Sequence, residues 1–115
     1  MRSNEELALA TALIVDDDHV MRMLERETLV QFGFDVLEAE SGEQALEILA
    51  KRQPDLVLLD VDMPGIDGFE VCRRLRQRWD MTGVPVIMVT GLDDPASIDE
   101  AYEAGANDFV AKPIN

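Results

Sequence analysis

Three acidic or polar segments and one lysine carry the groups in this chain that could do chemistry together. Asp16-Asp17-Asp18 follow Leu13-Ile14-Val15, and Asp60 follows Leu56-Val57-Leu58-Leu59. Thr90 follows Val86-Ile87-Met88-Val89, and Lys112 follows Phe109-Val110-Ala111. Each ends a short apolar run that reads as a buried strand. In an open parallel α/β sheet the binding crevice lies outside the carboxyl ends of the strands. If the four runs are parallel neighbours, carboxylates, a hydroxyl and an ammonium converge there, which suits a divalent metal and a phosphoryl group.

The residue types support that chemistry in detail. Adjacent carboxylates repel unless a cation shares them. Mg2+ takes oxygen ligands, usually one or two carboxylates with waters and phosphate oxygens, and Asp16, Asp17 and Asp60 meet that need. Asp18 reads instead as a helix cap, where negative charge suits the dipole. Thr90 offers a hydroxyl at the end of an otherwise apolar run, and Gly91 lets a bulky anion approach the backbone. Lys112 is the only basic residue after Arg78. His19 reads as a solvated residue at a helix start and Cys72 as a small core residue. Arg73, Arg74, Arg76 and Arg78 read as a solvated helix face.

Alternation of apolar runs with helical patterns argues for βαβ units and a parallel sheet. Strands are expected near Thr11–Val15, Asp35–Ala39 and Leu56–Leu59, after Pro85, and at Asp108–Ala111. The first helix is expected from His19 to Phe32, with Met21, Leu24 and Thr28 at helical spacing and Gly33 as its stop. The second opens at Ser41 with Gln44 three residues on, a capping box, and presents Ala45, Leu46 and Leu49. The third runs from about Phe69 to Arg78 and buries Phe69, Cys72 and Leu75. Pro95 opens the fourth, capped by Asp94, and Gly105 ends it. Five strands against four helices leave one sheet face with a single covering helix.

The 115 residues are enough for one domain with one core. A content of 47% hydrophobic and 30% charged residues marks a globular chain. The net charge of −14 argues against direct nucleic-acid binding and against anionic membranes. No apolar run reaches the ~20 residues of a membrane helix. No apolar signal core opens the chain, and a single cysteine excludes an internal disulfide, which suits the cytoplasm.

Four segments together resemble the receiver domain of bacterial two-component response regulators. They are residues 13–18, 58–68 (Leu58-Leu59-Asp60-Val61-Asp62-Met63-Pro64-Gly65-Ile66-Asp67-Gly68), 85–91 and 105–113. The resemblance implies a flavodoxin-like, doubly wound parallel sheet of five strands in the order 2-1-3-4-5. Residues 11–115 would form the receiver, cut after its fifth strand and so without the family's fifth helix, behind an extension at residues 1–10. Asp60 would be the phosphoacceptor. Asp17 would bind Mg2+ (or Mn2+) directly and Asp16 through water, with Asp60 and the Asp62 carbonyl as further ligands. Thr90, the Gly91 amide and Lys112 would hold the phosphoryl group, and Thr90 and Phe109 would be switch positions. Phe109 lacks a hydroxyl for any step that relies on one.

The implied partner is a sensor histidine kinase or a histidine phosphotransfer protein. The domain would not be an enzyme beyond its own phosphorylation and dephosphorylation. An output domain would lie outside these residues, and residues 109–115 resemble receivers fused to cyclic-dinucleotide enzymes. One rival is a haloacid-dehalogenase-like phosphatase, on Asp60-Val61-Asp62, although that family places the motif first and its acidic pair late. Another is a receiver-like interaction module that never uses phosphate. Two structural expectations complete the reading. A cis peptide is expected between Lys112 and Pro113. No salt-bridged dimer is expected through the fourth helix and fifth strand, since residues 93–111 carry six acids and no base.

Overall fold

The computed structural model describes residues 9–80, 82–91 and 95–112. The elements are β1 (Thr11–Val15), α1 (His19–Gln31), β2 (Asp35–Ala39), α2 (Gly42–Leu49), β3 (Leu56–Asp60), α3 (Gly68–Arg76), β4 (Val86–Thr90), α4 (Pro95–Glu103) and β5 (Asp108–Ala111). All five strands are parallel, in the order β2-β1-β3-β4-β5. This is the flavodoxin-like arrangement, with four helices among the described residues. Strands buried on both faces become continuous apolar runs, which is why β1, β3 and β4 stand out in the sequence.

Alternate strand residues divide between two layers. Leu13, Val15, Val57, Leu59, Val86 and Met88 pack beneath α2, α3 and α4, which contribute Ala45, Leu49, Phe69, Cys72, Leu75 and Ala101. Ala12, Ile14, Leu58 and Val89 face the other way and meet Leu29 of α1. That second face has α1 as its one covering helix among the described residues, so Val110 of β5 remains exposed.

Local signals explain the helix ends. Asp18 caps α1, its Oδ1 accepting from Val20 N at 2.9 Å and Met21 N at 3.2 Å. Gly33, at φ +91°, provides the left-handed turn that stops it. Ser41 Oγ accepts from Gln44 N at 3.0 Å. Gln44 Oε1 reaches one residue further back than a capping box requires and accepts from Glu40 N at 2.7 Å. Pro95 opens α4 as expected. The expected Asp94 cap and the Lys112–Pro113 peptide fall outside the described residues.

Two expectations are corrected. The inward face of α1 is Arg22, Glu25 and Leu29, not Met21, Leu24 and Thr28. Leu24 is 49% exposed, and Val20, Met23 and Val30 also face outward. Helical spacing alone could not choose between the two faces, because the buried one carries two ionisable side chains. The arginines of α3 are not one solvated face either. Arg73 and Arg74 are exposed and pair with Glu70, and Arg73 also with Glu100. Arg76 is half-buried and donates to the carbonyls of Gly105 at 2.7 Å and Val84 at 2.6 Å and to Asn107 Oδ1 at 2.8 Å. Arg78 lies over the Trp79 ring and donates to the Ala50 carbonyl at 3.1 Å. Both tie loops together.

Candidate functional site

Strand register assembles the site. Val15 of β1 pairs with Leu59 of β3, so the chain exits at Asp16 and Asp60 side by side. Thr90 of β4 pairs with Ala111 of β5, and Lys112 N donates to the Thr90 carbonyl at 2.7 Å. One carboxylate oxygen each from Asp16, Asp17 and Asp60 lie within 4.8 Å of one another. Lys112 Nζ bridges two of these acids, 3.1 Å from Asp16 Oδ2 and 3.2 Å from Asp60 Oδ1. Asp16, Asp60 and Thr90 are buried, whereas Asp17 and Gly91 are exposed at the mouth. The Asp62 amide is 3.4 Å from Asp60 Oδ1, so the β3–α3 loop curls around that carboxylate. Phe109 stands apart, half-buried against the core under α2–α4.

The electrostatics follow from this geometry. Burial, and then the negative charge of Asp16, push the Asp60 carboxyl up from 3.8 to about 6, with Lys112 pulling the other way. Burial works against charge on Lys112, yet Asp60 and Asp16 more than offset it and raise its pKa. Three carboxylates against one ammonium leave two negative charges to neutralise. A divalent cation satisfies that deficit, and the clustered oxygens are the hard ligands that Mg2+ or Mn2+ prefers. The residues present therefore fit such a cation.

Three neighbours escaped the sequence reading. Arg22, 7% exposed, donates from Nη1 to the Asp16 carbonyl at 2.8 Å and from Nε to Glu38 Oε1 at 3.3 Å. An arginine on a helix reads as solvated, so only the structure reveals it. Glu25, 4% exposed, has an Oε1 with no hydrogen-bond partner among the described residues. Burial first, then Asp16 and to a smaller extent Asp60, push its carboxyl from 4.5 to about 7, against an opposing effect of Lys112. Gly68 begins α3 directly behind Asp60. A Cβ there would collide with the Asp60 carbonyl oxygen and lie 2.8 Å from Val61 Cα. Residue type alone does not announce this close approach.

Comparison with known proteins agrees with the geometry. The model of the response regulator receiver domain matches residues 12–115. The transcriptional regulatory protein AfsQ1 of Streptomyces coelicolor is 42% identical over 92% of this chain and 46% of its own length. The response regulator PleD of Caulobacter vibrioides is 40% identical over 92% of this chain and 23% of its own. This chain thus spans less than half the length of these relatives. Among solved structures, the chemotaxis protein CheY4 of Vibrio cholerae superposes with a TM-score of 0.87 at 32% identity, covering 94% of this chain and 90% of that one. The receiver domain of Klebsiella pneumoniae RstA gives 0.83 at 34%, covering 91% and 87%. Nothing in these matches supports the phosphatase alternative or the phosphate-independent one. The chain belongs to the response regulator receiver domain family, whose members serve two-component signal transduction, answer to histidine kinases and bind a divalent metal in an acidic pocket.

Proposed function

We propose that this receiver, residues 11–115 behind a short segment at 1–10, accepts a phosphoryl group on Asp60 and passes the change of state to an output domain. The observation that carries the reading is the bridge from Lys112 Nζ to Asp60 Oδ1 and Asp16 Oδ2, at 3.2 and 3.1 Å, beside the three clustered carboxylates. An Asp60 oxygen attacks phosphorus of a donor phosphohistidine in line. The new O–P bond forms as the N–P bond breaks, and the leaving imidazole takes up a proton. Such transfer needs positioning and charge stabilisation more than covalent help.

Asp16, Asp17, Asp60 and the Asp62 carbonyl would hold Mg2+ (or Mn2+), which supplies positive charge to the transferring oxygens. Lys112 adds its own charge to the same oxygens, and the Thr90 hydroxyl and Gly91 amide donate hydrogen bonds to them. Thr90 and Phe109 then carry the switch, Phe109 through its packing alone because it has no hydroxyl. The only substrate is the domain itself with its donor, so it turns over no external phosphate ester. The donor is a sensor histidine kinase or a histidine phosphotransfer protein, and the site of action is the cytoplasm, consistent with the single buried Cys72. No helix among the described residues is long and apolar enough to cross a membrane. AfsQ1 is named a transcriptional regulator and PleD a response regulator. Transcriptional control, as in AfsQ1, and cyclic-dinucleotide chemistry, on the resemblance of residues 109–115, are the two outputs to test.

Phosphotransfer from a panel of labelled histidine kinases tests the reading. Stoichiometric, Mg2+-dependent transfer from one of them is expected. Steady turnover of a small phosphomonoester with no stable labelling would overturn it.

A further inference from the structure

We propose that Arg22 is a positioning residue for the cation-binding carboxylates, acting on Asp17 through its hold on the Asp16 carbonyl. The inference rests on the reading that Asp16, Asp17 and Asp60 hold a divalent cation. Arg22 is buried, and a buried cation needs partners to offset its desolvation. Its guanidinium finds them on three segments. Nη1 holds the Asp16 carbonyl at 2.8 Å, Nε holds Glu38 Oε1 at 3.3 Å, and Nη2 lies 3.6 Å from Glu40 Oε1 and 3.4 Å from His19 Nδ1. The planar fork of arginine suits simultaneous contacts of this kind.

Other polar atoms of Asp16 are held as well. Its amide donates to the Ala39 carbonyl at 3.1 Å and its Oδ1 accepts from Asp18 N at 2.9 Å, while its Oδ2, without a hydrogen-bond partner among the described residues, is ion-paired with Lys112 at 3.1 Å. Asp17 differs. Its side chain is exposed and has no hydrogen-bond or ion-pair partner among the described residues, yet its carboxylate belongs to the cluster. The direction of that carboxylate therefore comes from the backbone beneath it. The Asp16 carbonyl and the Asp17 amide share one rigid plane. The Nη1 bond fixes that plane, and Glu38 and Glu40 at the end of β2 fix the guanidinium.

Three roles for Arg22 predict different results in Mg2+ titration calorimetry at fixed pH and ionic strength. As a positioning residue, Arg22→Met weakens Mg2+ binding by about tenfold, the lower end of the cost of losing a group that orients a metal ligand. Arg22→Lys keeps the charge but loses the fork, and weakens binding by a smaller factor. As a mere positive charge beside the acids, Arg22 would repel the cation, so Arg22→Met would tighten binding and Arg22→Lys would match wild type. As mere packing, it would lower the unfolding midpoint in urea without changing the affinity of the folded protein. Labelling of Asp60 by acetyl phosphate should slow in Arg22→Met at limiting Mg2+ and recover at saturating Mg2+. Unchanged or tighter Mg2+ binding in folded Arg22→Met overturns the inference. If that variant does not fold, wild-type affinity in Arg22→Lys overturns it. A wild-type chain that bound no Mg2+ would instead overturn the reading on which it rests, and the inference with it.

Discussion

Replacing Glu25 by Gln should stabilise the metal-free domain at alkaline pH and have little effect at acid pH. Glu25 lies on the inner face of α1, 4% exposed, with Oε1 unpartnered among the described residues. Burial, the charge of Asp16 and the smaller effect of Asp60 hold its carboxyl at about 7 instead of 4.5, despite Lys112. Between these values the native state keeps a proton that the unfolded chain releases. Stability therefore falls as pH rises through that window, and the full cost is present above pH 7. One pKa unit corresponds to about 1.4 kcal/mol. The cost of ionising Glu25 is then about 1 kcal/mol at pH 5 and about 3 kcal/mol at pH 8. Gln is neutral throughout and has a similar shape, so contributions of shape and unmet hydrogen bonding cancel between the two pH values. Asp60 titrates in both proteins and cancels too. Urea unfolding of wild type and Glu25→Gln at pH 5 and pH 8, without divalent cations, should show the variant's advantage growing by roughly 2 kcal/mol between them. Parallel stability–pH curves for the two proteins would refute the reasoning.

Asp17→Ala should leave the metal-free fold as stable or more stable, by no more than about 1 kcal/mol for so exposed a group. It should weaken Mg2+ binding more than about tenfold, the loss of at least ~1.4 kcal/mol from one charged ligand. Thermal melts with and without Mg2+ decide this, and a clear loss of metal-free stability would make Asp17 structural. Gly68→Ala forces a methyl group into the Asp60 carbonyl and Val61. It should cost about 1–3 kcal/mol in urea unfolding, as overpacking does, and wild-type stability would show that the loop gives way freely. No isologous dimer through α4 and β5 should form, because residues 93–111 would bring six acids and no base from each copy together. Light scattering across a salt series checks this, and a phosphorylation-dependent dimer mapped to α4 and β5 would contradict it.

The legible parts of this protein are those where burial and chemistry agree. Val57, Leu58 and Leu59 are buried, so β3 is a continuous apolar run, and the break at Asp60 marks its end. Asp16, Thr90 and Lys112 were found by the same logic, each being the first polar residue after such a run. α1 violates that logic. It turns Arg22 and Glu25 inward beside Leu29, while Val20, Met23, Leu24 and Val30 point away from its packed face and Phe32, just past its end, is 77% exposed. Arg22 is inward because the Asp16 carbonyl and Glu38 give it partners there, and those partners lie outside the helix, after β1 and on β2. Arg76 leaves the expected solvated face for the same reason, since the carbonyls of Val84 and Gly105 receive it from two separate loops. Close approach at Gly68 is likewise a property of two backbones meeting, which residue type alone does not specify.

The central claim is that Asp60 is the acceptor. Its most direct test is mass spectrometry of the chain after incubation with acetyl phosphate and Mg2+, with borohydride reduction to mark the acyl phosphate. One modified residue is expected, Asp60, absent when Mg2+ is chelated and absent in Asp60→Asn. A phosphoryl group on any other residue, or labelling that survives Asp60→Asn undiminished, would contradict the account.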